Sequence, residues 1–194
     1  MTDSPTLTTL SAFVVVFAVQ AVGGSVGVDT SVFVLRWPLI QEPSAIVLSV
    51  YAHGSPQHLV ANTIALAVVG PLVAYVTTAV RYHAFFVLSG AIAGVAQVAA
   101  TIPFGGVGVL GGSGAIFALM GYIIVANRAS NRALSWLPLG PTGSLLLFAV
   151  LAAAVTLATA APGVALIAHF TGFLVGAAAG YPRLLHTGPP GSSD

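Results

Sequence analysis

Residues 104–121 read FGGVGVLGGSGAIFALMG, an apolar glycine-rich loop that becomes an uninterrupted uncharged run at Ser113. A serine between glycines at the start of an apolar helix has two readings. It can cap the helix by accepting a bond from a free backbone N–H, or it can be a nucleophile held at the end of a rigid element. The rest of the chain supplies the setting in which the two are weighed.

That setting is a membrane. Of 194 residues 57% are hydrophobic and 5% charged, with a mean hydropathy of +1.02, whereas about a quarter of the residues in soluble domains carry charge. Lysine is absent, and Arg36, Arg81, Arg128, Arg132 and Arg183 are spread singly, so no basic patch for nucleic acid exists. Cysteine is also absent, which excludes disulfides, thiolate metal ligands and thiol nucleophiles. The opening MTDSPTLTTL has no basic n-region, and the apolar run behind it is too long for a cleaved leader. It reads as a retained first helix.

About 20 apolar residues are needed to cross roughly 30 Å of hydrocarbon. Working outward from Ser113, six segments meet or approach that length: Leu7 to Val28, Gln57 to Val80, Tyr82 to Ile102, Ser113 to Asn127, Gly143 to Ala160 and Gly163 to Tyr181. The expected fold is an all-α polytopic bundle of six transmembrane helices, with residues 1–186 as one core and 187–194 as a disordered tail. Between the first two spans, the apolar stretch Ala45 to Tyr51 is suited to the membrane interface. Cytoplasmic loops collect positive charge. Arg81, Arg128, Arg132 and Arg183 fall on one side if both termini are cytoplasmic, and Arg36 falls on the other. The plasma membrane is the expected location.

Depth then brings polar residues together. Ser113 to Asn127 spans roughly 22 Å at 1.5 Å per residue, which is shorter than the hydrocarbon. With Arg128 at the cytoplasmic edge, Ser113 starts its helix roughly 8 Å below the outer surface. His169, six residues beyond Gly163, falls roughly 9 Å down from the same side. Gly172, Gly176 and Gly180 follow it at a spacing of four, and Gly114, Ala118 and Gly121 form a small face on the serine helix. Such faces let helix backbones approach closely and would bring the Ser113 hydroxyl within reach of the His169 imidazole. His58 and Asn62, four residues apart, share one face at the outer end of the second span.

Each polar residue also has a structural reading. Ser113 can be an N-cap, His169 can bond a neighbouring carbonyl, and His58 with Asn62 can cap the mouth of a helix. His53 and His83 read as structural or interfacial, and His186 lies beyond the last span. The common level of the first four is what favours a functional reading, because an ionisable residue inside a membrane is costly and usually functional.

At this point the residues resemble the rhomboid intramembrane serine proteases. Gly111-Gly112-Ser113-Gly114, followed by Ala115-Ile116-Phe117, matches the family's GxSG at the start of its fourth helix. Ala168-His169 with Gly172 and Gly176 matches the histidine and glycine pattern of its sixth. His53 through His58 to Asn62 is similar to its HxxxxHxxxN pattern. Phe117 stands where many members have tyrosine, keeping the ring and losing the hydroxyl, and Arg36-Trp37 is only a loose echo of a loop found in some relatives.

The resemblance implies a core six-helix protease. Ser113 would be the nucleophile, His169 the general base packed against Phe117, and His58 and Asn62 donors to the oxyanion, with no metal or cofactor. The substrate would be a transmembrane protein, entering laterally from the bilayer and cut near its outer end. Two other classes stay open: a catalytically silent relative acting as a membrane chaperone or binding module, and a small transporter or proton channel relaying through His58 and His169. A water-filled cavity at the outer side of Ser113 is a further expectation.

Overall fold

The computed structural model describes residues 4–127, 140–161 and 163–187. It is all-helical: α1 (Pro5–Ser25), α2 (Ala45–Tyr51), α3 (Pro56–Ala74), α4 (Ala79–Thr101), α5 (Ser113–Ala126), α6 (Pro141–Ala158) and α7 (Leu166–Gly180). Three helices are long and apolar enough to cross a membrane, Pro5–Ser25, Pro56–Ala74 and Ala79–Phe104, and three shorter apolar ones complete a six-helix bundle. The Arg128 and Arg132 positions and residues 188–194 of the expected tail lie outside the described residues.

Local chemistry sets the helix starts. α1, α3 and α6 each open with proline in the first turn, where the missing N–H would have had no partner. Ser55 caps α3 by accepting from the His58 N–H at 3.1 Å. Thr78 accepts from the Arg81 N–H at 3.4 Å, so a new helix begins at Ala79. For that reason the second span ends at Ala74 rather than running to Val80.

The outer surface is what lipid requires. Val60, Ile64 and Val68 recur every fourth residue along α3 and are all more than half exposed. A soluble monomer would not present such a continuous apolar face.

α5 is the axis of the bundle, with Gly114 to Leu119 buried without interruption. It runs parallel to α7 along a seam of small residues. A Cβ on Gly172 would collide with the Gly114 carbonyl, one on Gly176 with the Ala118 carbonyl, and one on Gly180 would lie 2.7 Å from the Tyr122 oxygen. Each step is four residues on both helices, so the register is single-valued. The small faces meet as their spacing predicts.

The starts of α3, α5 and α7 share one end of the bundle. At the opposite end, Thr6 lies against Gly70 and Tyr82, and the Thr187 N–H donates to the Val76 carbonyl at 3.0 Å. The first and last described residues are therefore on the side away from Ser113. Arg81 and Arg183 are on that side too, whereas Arg36 lies over Gly108 near the serine.

The start of the last helix also differs from expectation. The last helix begins at Leu166, not near Gly163, because Gly163 adopts a left-handed φ of +81° in a turn. The stretch Ala45 to Tyr51 is helical and packs into the bundle through Ala45, Ser49 and Val50. Val50 fills the space over Gly90.

Candidate active site

The loop before α5 is built to deliver Ser113. Leu35 and Val109 exchange backbone hydrogen bonds of 2.9 Å, and the Gly111 N–H donates to the Ser49 carbonyl at 2.8 Å. Gly111 has φ +132°, and a Cβ there would lie 2.7 Å from His58 Cε1. Both the backbone conformation and the imidazole beside it demand glycine. Gly112 lies under the Phe13 ring, and Ser113 follows as the first residue of α5, half-buried.

The first bond of α5 runs from the Ile116 N–H to the Gly112 carbonyl at 2.9 Å. The amides of Ser113, Gly114 and Ala115 are thus the free donors of a helix N-terminus, where negative charge is stabilised.

His169 is the fourth residue of α7 and 7% exposed. Its imidazole stacks on Phe117, with centroids 4.1 Å apart and planes at 20°, and its Nδ1 is 3.3 Å from Thr159 Oγ1. Phe117 is one turn beyond Ser113 on the same helix face. Ala168 borders Gly114, its carbonyl 3.6 Å from where a Cβ would stand. The immediate neighbours of Ser113 and His169 are therefore in contact. Among the described residues the Ser113 hydroxyl makes no hydrogen bond. Nucleophile–base bonds are often long without substrate and tighten when it binds.

His58, half-buried, sits against Gly111. Asn62 is buried one turn below and donates through Nδ2 to the His58 carbonyl at 3.1 Å, which leaves its second N–H and its oxygen. His53 is 2% exposed, with its ring edge-on to Phe13 at 4.7 Å and to His58 at 5.1 Å. Its backbone N–H donates to Gln20 Oε1 at 3.1 Å, tying the α2–α3 link to α1. Burial, and secondarily the neighbouring His58, lowers its pKa from 6.5 to about 4.

His83 bonds Thr9 at 3.4 Å. His186 is 2.6 Å from the Tyr122 hydroxyl at the far end of α5. A cavity of about 430 Å³ lies there too, lined by Leu72, Val76, Ile123, Ala126, Asn127, Arg183 and His186. It does not serve Ser113; access to the serine rests on its own partial exposure and that of His58.

Two residues of this neighbourhood were not singled out from sequence. Gln97, 7% exposed, accepts the Ala168 N–H at 3.1 Å, filling one of the free donors at the start of α7. A lone amide in the apolar run AIAGVAQVAA was a usable signal, since such a group needs a partner in a membrane. Thr159 gave no signal, because it reaches His169 across a turn.

No curated protein matches the chain. The Rhomboid domain model matches residues 41–186, which takes in α2 through α7 and with them His58, Asn62, Ser113, Phe117 and His169. The match covers most of the chain and agrees with the helical bundle: this membrane protein belongs to the rhomboid family, whose members are intramembrane serine proteases or inactive relatives of them.

Proposed function

We propose that the chain is an intramembrane serine endopeptidase that cuts transmembrane segments near their outer end with a Ser113–His169 dyad. The observation that carries this reading is the α5–α7 seam. Gly172 against the Gly114 carbonyl and Phe117 against His169 bring His169 to the helix start that bears Ser113, which supports the dyad reading.

In the proposed reaction, His169 accepts the Ser113 proton as Oγ attacks the scissile carbonyl, giving a tetrahedral oxyanion. The free amides at the start of α5 stabilise that charge, with the side chains of His58 and Asn62 as further donors; losing one such donor typically costs about 2.7–4 kcal/mol in the barrier. His169 then returns the proton to the leaving amine, and water hydrolyses the acyl-enzyme by the same steps. No Asp or Glu lies between Glu42 and Asp194, so a dyad is the arrangement these helices offer. No metal or cofactor takes part in it.

The substrate is a transmembrane helix unwound enough to present a carbonyl. In this reading residues 1–186 act as one core in the plasma membrane, with both termini cytoplasmic. The shared end of Thr6 and Thr187, together with Arg81 and Arg183, supports that orientation under the positive-inside rule.

The test uses the purified chain in detergent with a model transmembrane substrate and a serine-directed covalent inhibitor. Ser113→Ala and His169→Ala should each cut cleavage by at least about 10³-fold and abolish labelling. Cleavage retained in either variant would refute the assignment. A folded parent chain that binds the substrate without cutting it would favour a silent chaperone or binding module.

A further inference from the structure

We propose that Thr159 is a positioning residue: its hydroxyl holds His169 in the tautomer whose basic nitrogen is Nε2. The catalytic consequence rests on the dyad reading above, but the geometry does not. Thr159 follows the last residue of α6. Its Oγ1 is 2.9 Å from the Thr156 carbonyl, 3.4 Å from the Val155 carbonyl and 3.3 Å from His169 Nδ1.

A hydroxyl has one proton and two acceptor lone pairs, whereas a carbonyl oxygen can only accept. The two α6 carbonyls therefore claim the Thr159 proton, with Thr156 the closer. What Thr159 presents to the imidazole is a lone pair, so Nδ1 must carry the hydrogen. A neutral imidazole has only one N–H, which leaves Nε2 bare. That is the nitrogen free to take a proton from Ser113. When it does, Nδ1–H stays bonded to Thr159, so the base turns over without rotating its ring.

The need for such a group follows from the residues present. Phe117 constrains the plane of the ring by stacking, but a phenyl ring has no atom that tells one imidazole nitrogen from the other. No carboxylate lies in α3 to α7 to do so either. In a triad that task falls to a carboxylate bonded to Nδ1–H; here a neutral hydroxyl from the neighbouring helix end meets the same atom.

The test measures cleavage and tautomer separately on the full chain in detergent micelles. The histidines are ¹⁵N-labelled, and the His169 signals are identified by their loss in His169→Ala. The parent should show His169 protonated at Nδ1. Thr159→Ser, which keeps the oxygen, should retain that tautomer and cleave within about threefold of the parent. Thr159→Val should populate both tautomers and lose about tenfold in kcat with KM unchanged, the rate equivalent of one ordinary hydrogen bond.

Parent protein protonated at Nε2 would overturn the proposal without any variant. So would Thr159→Val with parental activity and tautomer, or Thr159→Ser as impaired as Thr159→Val. If cleavage proves independent of Ser113, the protease reading fails while the nitrogen shifts still decide the role of Thr159.

Discussion

The Phe117 ring lies flat on the His169 imidazole, with centroids 4.1 Å apart and planes 20° from parallel. Aromatic pairs of this kind contribute about 0.5–1.5 kcal/mol beyond their buried area, and this one joins the serine helix to the histidine helix. Phe117→Leu should lower kcat about tenfold with little change in KM, because a branched aliphatic chain cannot hold the plane of the imidazole. Phe117→Tyr should stay within about threefold of the parent, since the stack survives. Steady-state cleavage kinetics distinguish the two; an equal loss in both would show that the flat face is not what matters.

The seam between α5 and α7 makes a separate stability prediction. A Cβ on Gly176 would overlap the Ala118 carbonyl, and backbone cannot turn aside as a side chain can. Gly176→Ala should destabilise the bundle by about 3 kcal/mol or more, at or above the top of the range for overpacking. Gly24, near the end of α1, has nothing within 4 Å of its would-be Cβ. There alanine should be neutral or slightly stabilising, given its helix preference of about 1 kcal/mol over glycine. Thermal unfolding in detergent checks the contrast, and equal effects would contradict the close approach.

Tyr122 secures the far end of α5. Its hydroxyl accepts the Leu185 N–H at 3.1 Å and is 2.6 Å from His186 Nδ1. Tyr122→Phe keeps the ring and strands the buried Leu185 amide, a loss of about 1–3 kcal/mol. Faster proteolysis in the segment after Gly180, with Ser113 labelling retained, is the expected readout. Unchanged proteolysis would mean that other contacts hold the segment.

The seam was legible in the sequence because its spacing of four is a helical property, visible wherever small residues recur along one face. Ser113, His169 and Phe117 follow from it, since each occupies a fixed place relative to Gly114 or Gly172. Periodicity reports which face of a helix is special and is silent about which neighbour covers it. That is why Gln97 meeting the Ala168 amide and Thr159 meeting His169 lay beyond reach. The start of α7 was placed too early because an apolar run looks the same inside a helix and just before it; only the left-handed backbone of Gly163 separates the two. His186, read as lying past the last span, bonds back to a residue 64 positions earlier, a distance along the chain at which no local pattern operates.

His53 gives the pH dependence. It lies in the link between α2 and α3, 2% exposed, wedged between Phe13 and His58 with neither ring nitrogen bonded. Burial and the neighbouring His58 lower its pKa from 6.5 to about 4, so the folded chain holds it neutral while the unfolded chain protonates it near 6.5. Because the unfolded state binds the extra proton, stability rises with pH between these values. The contribution is fully present above about 6.5 and is lost progressively as pH falls towards about 4. The loss should be on the order of 2–3 kcal/mol. His53→Gln, which carries no titrating charge, should flatten this part of the profile even if it costs some stability at neutral pH. Unfolding measured in detergent at intervals from pH 7 to pH 4 decides the matter, and a parent and variant with parallel profiles would show that His53 is not the group responsible.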